Sequence, residues 1–286
     1  MRVVRRLVFP LALLSAAPGG AGALAQEGEL QETADVAGGA VSISPPPPAP
    51  ARNARVVLLT KRGDEATARL EPQTALEAYQ AAVSADPNDY EALWKTGRTL
   101  IDLGELERKG NSQKDKYNKA LKYAERAIQV KPEGADGHYV RAYALGRVAL
   151  FEGGKTKLRL SREVKAEALR AIDLDPLHDG AYNVLGDWNY DLADLNFFQR
   201  ALAKTILGGV PEGASFENAA HYYQLAIQAR PDRPAHHLEY ARALLKLDRE
   251  DEARTQLQRG LALPASALHD PSHKRVAEAL LDDLSG

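Results

Sequence analysis

Four prolines close apolar helical runs in this chain, and the residues around them repeat. Pro87, Pro132, Pro176 and Pro231 each have alanine five residues earlier: Ala82, Ala127, Ala171 and Ala226. Four residues earlier the side chain is β-branched (Val83, Ile128, Ile172, Ile227), and ten residues later stands Gly97, Ala142, Gly186 or Ala241. Agreement of four registers at three offsets marks an internal repeat. Its physical reading is a stack of helix hairpins. Small residues let two antiparallel helices approach closely, and proline ends one helix because it lacks an N–H and constrains the residue before it. From Ala54 onward the apolar spacing is helical, and no segment alternates as a strand. The expected fold is all-α, an antiparallel helix-hairpin solenoid over residues 54–286.

The small, aromatic and proline positions resemble the tetratricopeptide repeat, a helix–turn–helix unit of 34 residues. Tyr182, Leu185 and Gly186, followed by Ala219, Tyr223, Ala226 and Pro231, carry the resemblance best, and Ala75, Tyr79, Ala82 and Pro87 match a second helix. The proline gaps are 45, 44 and 55 residues, so the units are lengthened. The run Leu185-Gly186-Asp187-Trp188, then Ala193, Phe197 to Arg200, Ala203, Leu207-Gly208, Pro211 and Ser215-Phe216 is similar to the regulator of microtubule dynamics protein family. That resemblance covers roughly residues 55–284 and includes bacterial-type exported relatives. It implies tetratricopeptide-like units, and for animal members an association with microtubules, organelle contacts and, in some, phospholipid.

The tetratricopeptide resemblance also implies a concave groove lined from the first helix of each unit. Carried over, those positions are Trp94 and Arg98, then Tyr139 and Tyr143, then Asn183, Asp187 and Tyr190, then Leu238 and Arg242. Aromatic and arginine side chains on one face suit a protein or peptide partner, since they supply contact area at low entropic cost. Packing against neighbouring helices is the plainer use of the same residues. Asp187 to Leu207 reads as one long helix with Trp188, Tyr190, Phe197 and Phe198, either core for an oversized hairpin or one wall of an apolar lipid tunnel.

The N-terminus reads as an address. Arg2, Arg5 and Arg6 precede an apolar run from Leu7 to Ala17 and a small-residue stretch ending Ala23-Leu24-Ala25, the order of a secretory signal cleaved between Ala25 and Gln26. The chain is then exported, periplasmic or secreted; an N-terminal membrane anchor is the rival reading. Pro10, Pro18 and the glycines at 19, 20 and 22 leave too few unbroken apolar residues to span about 30 Å of hydrocarbon, and no stable membrane span is expected once the signal is cleaved. Residues 26–53 read as a disordered proline-rich linker, with Pro45 to Pro48 favouring an extended spacer. A docking site for a proline-reading domain is the sharper alternative for that run.

Charge and composition narrow the function classes. Lys and Arg number 37 against 39 Asp and Glu, and loss of residues 1–25 leaves 34 against 39, a net charge of −5. That balance argues against nucleic acid as a partner. With no cysteine, disulfides, thiolate nucleophiles and Cys-ligated zinc are excluded. Gly153-Gly154-Lys155-Thr156 lacks the first Gly of a phosphate loop, because position 149 is Ala, and reads as a turn with Gly ending a helix. His236 and His237 are adjacent, so on a helix they point about 100° apart and do not form a metal pair. His269 and His273, four residues apart, read as exposed side chains in a helix's first turn. Asp173 with Asp175 and Asp282 with Asp283 read as a helix end and a solvated tail. No serine sits in a nucleophile elbow. The expected protein is therefore a non-catalytic scaffold or adaptor, with no metal or cofactor. A lipid-binding protein is the alternative, and a cytoskeletal regulator the third reading.

Overall fold

The computed structural model describes residues 52–196, 200–201, 204, 209 and 213–285. Among these are eleven helices and no strand: α1 (Ala54–Ala68), α2 (Pro72–Ala85), α3 (Tyr90–Glu105), α4 (Asn111–Val130), α5 (Ala135–Ala149), α6 (Gly154–Leu174), α7 (Asp179–Ala193), α8 (Phe216–Ala229), α9 (Pro234–Lys246), α10 (Glu250–Ala262) and α11 (Asp270–Asp283). Consecutive helices pair as α1/α2, α3/α4, α5/α6, α7/α8 and α9/α10, each pair packing on the next, while α11 lies against α9 and α10. This is the tetratricopeptide-like solenoid. None of these helices is long and apolar enough to cross a membrane.

The four proline turns share one geometry. Asp86, Lys131, Asp175 and Arg230 leave the helix in extended backbone, with φ between −145° and −139°, as a residue before proline must. Each donates its N–H to the carbonyl of the repeat alanine, Ala82, Ala127, Ala171 or Ala226, at 2.9 Å. All four alanines are fully buried, so the repeat records both a helix stop and a tight crossing. The helices that follow are capped by polar side chains in two cases. Asp89 accepts from the Ala92 N–H at 2.8 Å, and His178 Nδ1 accepts from Ala181 at 3.1 Å.

Glycine sets the closeness of the hairpins. A Cβ at Gly186 of α7 would stand 2.4 Å from the Tyr223 ring of α8, so that ring lies flat on bare backbone. Tyr79 on Gly63 repeats the arrangement in the first hairpin. Tyr117 and Tyr223 are the largest fully buried side chains, and each anchors its hairpin.

Several expectations shift. Arg52 and Asn53, assigned to the linker, belong to the folded body: Arg52 Nη2 donates to Asp89 Oδ1 at 2.7 Å, and Asn53 caps α1. The signal segment, Ala25, Gln26 and the proline run lie outside the described residues. Asp187 to Leu207 is not one helix. α7 ends at Ala193, where Asp194 donates its N–H back to Tyr190, and Leu195 and Asn196 are not helical. Phe197, Phe198 and Leu207 lie outside the described residues. Gly153 and Gly154 open α6 instead of ending α5. Leu150, Phe151 and Glu152 tighten the end of α5 with i to i−3 bonds before the glycines are reached.

Candidate functional site

The first helices of successive hairpins, α3, α5, α7 and α9, face inward, and α11 with the turn before it lies across the open side. They enclose a cavity of about 780 Å³. Arg98, Tyr139 and Tyr143 line it from α3 and α5; Asn183, Asp187 and Tyr190 line it from α7; Leu238 and Arg242 line it from α9. Trp94 does not. One turn before Arg98, its indole is taken up by packing against the buried clusters of the first hairpins, with the Lys95 ammonium 5.5 Å from the ring centre.

Tyr143 is the centre of one wall. The guanidinium of Arg98 lies 5.0 Å from its ring centre and that of Arg147 lies 4.7 Å away, so two cations share one aromatic ring. Its hydroxyl donates to Glu105 Oε1 at 2.7 Å and accepts from Arg147 Nη2 at 2.9 Å. Arg98 pairs with Asp102, Arg147 pairs with Glu105, and His269 Nε2 stands 2.8 Å from Glu105 Oε2. Burial works to raise the Glu105 carboxyl, but Arg147, His269 and Arg98 override it and hold the group well below the usual carboxylate range. Burial likewise works to lower His269, and the Glu105 carboxylate, then Asp102, raise it above its ordinary value.

Asp102, Glu105 and His269 each bring a ligand atom within 4.8 Å of the others, the spacing of a small metal site. Both carboxylates are already paired with guanidinium groups, however. The donor set reads as a salt-bridge cluster that needs no cation. It also corrects the reading of His269 as an exposed side chain, because it turns inward to α3.

On the opposite wall, Tyr223 donates to Asp187 Oδ1 at 2.7 Å, and Arg242 pairs with Glu239 while lying 4.8 Å from the Tyr190 ring centre. Burial pushes the Asp187 carboxyl up to about 7, with Glu239 adding to it. Asp191, one turn on, is also pushed up to about 7, by burial and by Asp187. Between the walls, His236 bridges Asp179 Oδ2 at 2.9 Å and Asn183 Oδ1 at 3.0 Å. Burial lowers His236 below its ordinary value. His237 is tied to Gln256 at 2.8 Å and to the Pro231 carbonyl at 2.9 Å. The two adjacent histidines thus serve two separate interhelical contacts.

Sequence reasoning missed Asp102, Glu105, Arg147, Asp191 and Glu239 as lining residues, and it placed His269 at the surface. Continuing the i, i+4 walk by one turn from Arg98, Tyr143 and Asp187 reaches Asp102, Arg147 and Asp191. Nothing local points to His269, which arrives from the far end of the solenoid.

The stacked hairpins and their enclosed concave face define a tetratricopeptide-like helical repeat protein. The chain belongs to the regulator of microtubule dynamics protein 1-3 family, whose family model matches residues 59–285. It is 29% identical over 204 residues to regulator of microtubule dynamics protein 1 of Bos taurus, covering 70% of this chain and 63% of that one. The Homo sapiens counterpart is 28% identical, with 67% and 62% covered. Regulator of microtubule dynamics protein 3 of Bos taurus is 25% identical, with 66% and 40% covered. The chain thus spans less than two thirds of the length of these relatives. Among solved structures, a thermophilic tetratricopeptide repeat protein of Thermus thermophilus superposes with a TM-score of 0.57 at 18% identity, covering 79% of this chain and 98% of that one. That likeness concerns the fold.

Proposed function

We propose that this chain is a non-catalytic, exported scaffold or adaptor that holds a peptide segment of a protein partner in its concave cavity. The observation that carries this reading is the cavity's lining: tyrosines stacked under arginines, with six Arg or Lys and six Asp or Glu side chains around them. A surface that mixes both charges with rigid aromatic faces matches a polypeptide, which offers both charges, amides and apolar side chains at close spacing. Nucleic acid fits poorly, because the acidic side chains oppose phosphate.

Lipid held against a continuous wall from 187 to 207 is the competing reading. It loses that wall where α7 ends at Ala193. The cytoskeletal role in the relatives' name comes third, since an exported chain does not meet cytoplasmic microtubules. Export itself is tested by sequencing the N-terminus of the native protein, with Gln26 expected first.

The partner reading is tested by purifying the native chain from its own host with Tyr143→Ala and Arg242→Ala as comparisons. Loss of co-purifying protein from both variants, with helicity unchanged, supports it. Equal recovery from wild type and variants contradicts it.

A further inference from the structure

The near-neutral charge of the whole chain hides a strong local imbalance. Residues 108–170 carry 16 Lys or Arg against seven Asp or Glu, while the rest of the chain carries 21 against 32. This basic stretch holds α4 and α6, the second helices of consecutive hairpins, which both pack on α5 and form the outer side of the solenoid there.

On α6 the charges are sorted by side. Glu163 and Glu167 turn to α5, where Arg141 pairs with both and His138 with Glu167. Lys157 is buried and lines a small pocket with Asp191, and Lys165 lies 4.8 Å from the Trp188 ring centre. Left exposed are Lys155, Arg159, Arg162 and Arg170, whose spacing puts them on one helical face. Asp173, in the last turn, is the one exposed acid of this helix. Arg159 shares Glu163 with Arg141, whereas Lys155, Arg162 and Arg170 form no ion pair with a described residue. Leu169, 37% exposed, stands between Arg162 and Arg170. α4 adds exposed Lys119 and Lys122, with Asp115 and Glu125 exposed beside them. None of these six bases lines the cavity.

We propose that this outer basic face docks the solenoid on an anionic phospholipid bilayer, with the concave cavity turned to the aqueous side. From Lys155 to Arg170 the face runs about 23 Å, so unpaired cations meet a headgroup plane along its length. Arg and Lys stems, with Leu169 among them, supply apolar contact at the headgroup boundary. The contact is peripheral, since no described helix is long and apolar enough to cross a membrane. A nucleic-acid strand would call for exposed rings to stack its bases. α6 has no aromatic residue, and Tyr117 and Tyr123 of α4 are buried and half-buried. An acidic protein would call for a cluster of large anchors, and Leu169 is the one large apolar side chain exposed on α6.

The test is co-sedimentation of the purified protein with vesicles of phosphatidylcholine, alone or mixed equally with phosphatidylglycerol. Binding is expected to the mixed vesicles only. It should fade as salt rises from about 0.1 M to about 1 M, where the screening length falls from about 10 Å to about 3 Å. Each base near an anionic surface strengthens binding about fivefold, so Arg162→Gln with Arg170→Gln is expected to weaken it about 25-fold. Arg259→Gln with Arg275→Gln removes the same charge from exposed positions on α10 and α11, and is expected to leave binding unchanged. Leu169→Trp should gain an emission that moves to shorter wavelength when mixed vesicles are added. Equal binding to neutral vesicles, equal loss in both double variants, or tighter binding to single-stranded DNA overturns the proposal. Unshifted emission from Leu169→Trp overturns it as well. Tyr143→Ala, in the cavity, should bind vesicles as the wild type does, which keeps this result separate from partner capture.

Discussion

His269 Nε2 stands 2.8 Å from Glu105 Oε2, and this ion pair joins the turn before α11 to the inner face of α3. The contact spans the mouth of the solenoid, from its last helices back to its second hairpin. It lies off the line of a hydrogen bond, so charge is what holds it. Arg98, Asp102, Arg147 and Tyr143 complete the cluster on the α3 and α5 side.

That pair is expected to make the docking of α11 on α3 dependent on pH. The folded pKa of His269 is raised, so its contribution is full below the unfolded value near 6.5 and is lost as pH climbs through the folded value. His269→Gln is expected to cost about 1 kcal/mol near pH 6, or roughly 2–4 °C in Tm for a domain of this size, and less at pH 8.5. Thermal melts of both proteins across that range check it. His236 has the opposite sign. Its folded pKa is lowered, so its contribution erodes as pH falls below about 6.5.

Asp191→Asn is expected to stabilise the chain increasingly as pH rises. Its carboxyl is pushed up to about 7, so the wild type loses stability between the unfolded value near 4 and that pH as the buried group ionises beside Asp187. Near pH 4 the two proteins should melt together, and above pH 7 the variant should melt higher. Denaturant titrations at the two ends of the range decide it.

Gly186→Ala tests the hairpin crossing. The added Cβ would meet the Tyr223 ring at 2.4 Å, too close for that ring to stay in place. A cost of about 1–3 kcal/mol is expected from overpacking. Pairing it with Tyr223→Leu should return part of the loss, which a double-mutant cycle measures.

Much of this fold is legible in the residues because its determinants are local. The alanine before each proline is both a helix-stop acceptor and a crossing point, so Ala82, Ala127, Ala171 and Ala226 announce four turns that the structure repeats closely. The inward face was traceable for the same reason: Arg98, Tyr139, Tyr143 and Asp187 follow a helical register. Trp94 obeys that register too, yet it packs half-buried against the first hairpins and stays outside the cavity lining. Lys157 looks like any other base on a lysine-rich helix. Only the position of α7 against α6 shows that it points inward. The end of α7 at Ala193 was hidden by an unbroken helical pattern, with no proline or glycine to mark it.

What occupies the concave cavity decides between a protein scaffold and a lipid carrier. A photoreactive amino acid in place of Tyr190, which lines the cavity, compared with one in place of Lys122, exposed on α4, measures this directly in the host. The expected result is protein cross-links from position 190 that map to one peptide segment of a partner and disappear when Arg242→Ala is added. Protein cross-links from position 122 alone, or only lipid captured at position 190, would contradict the account.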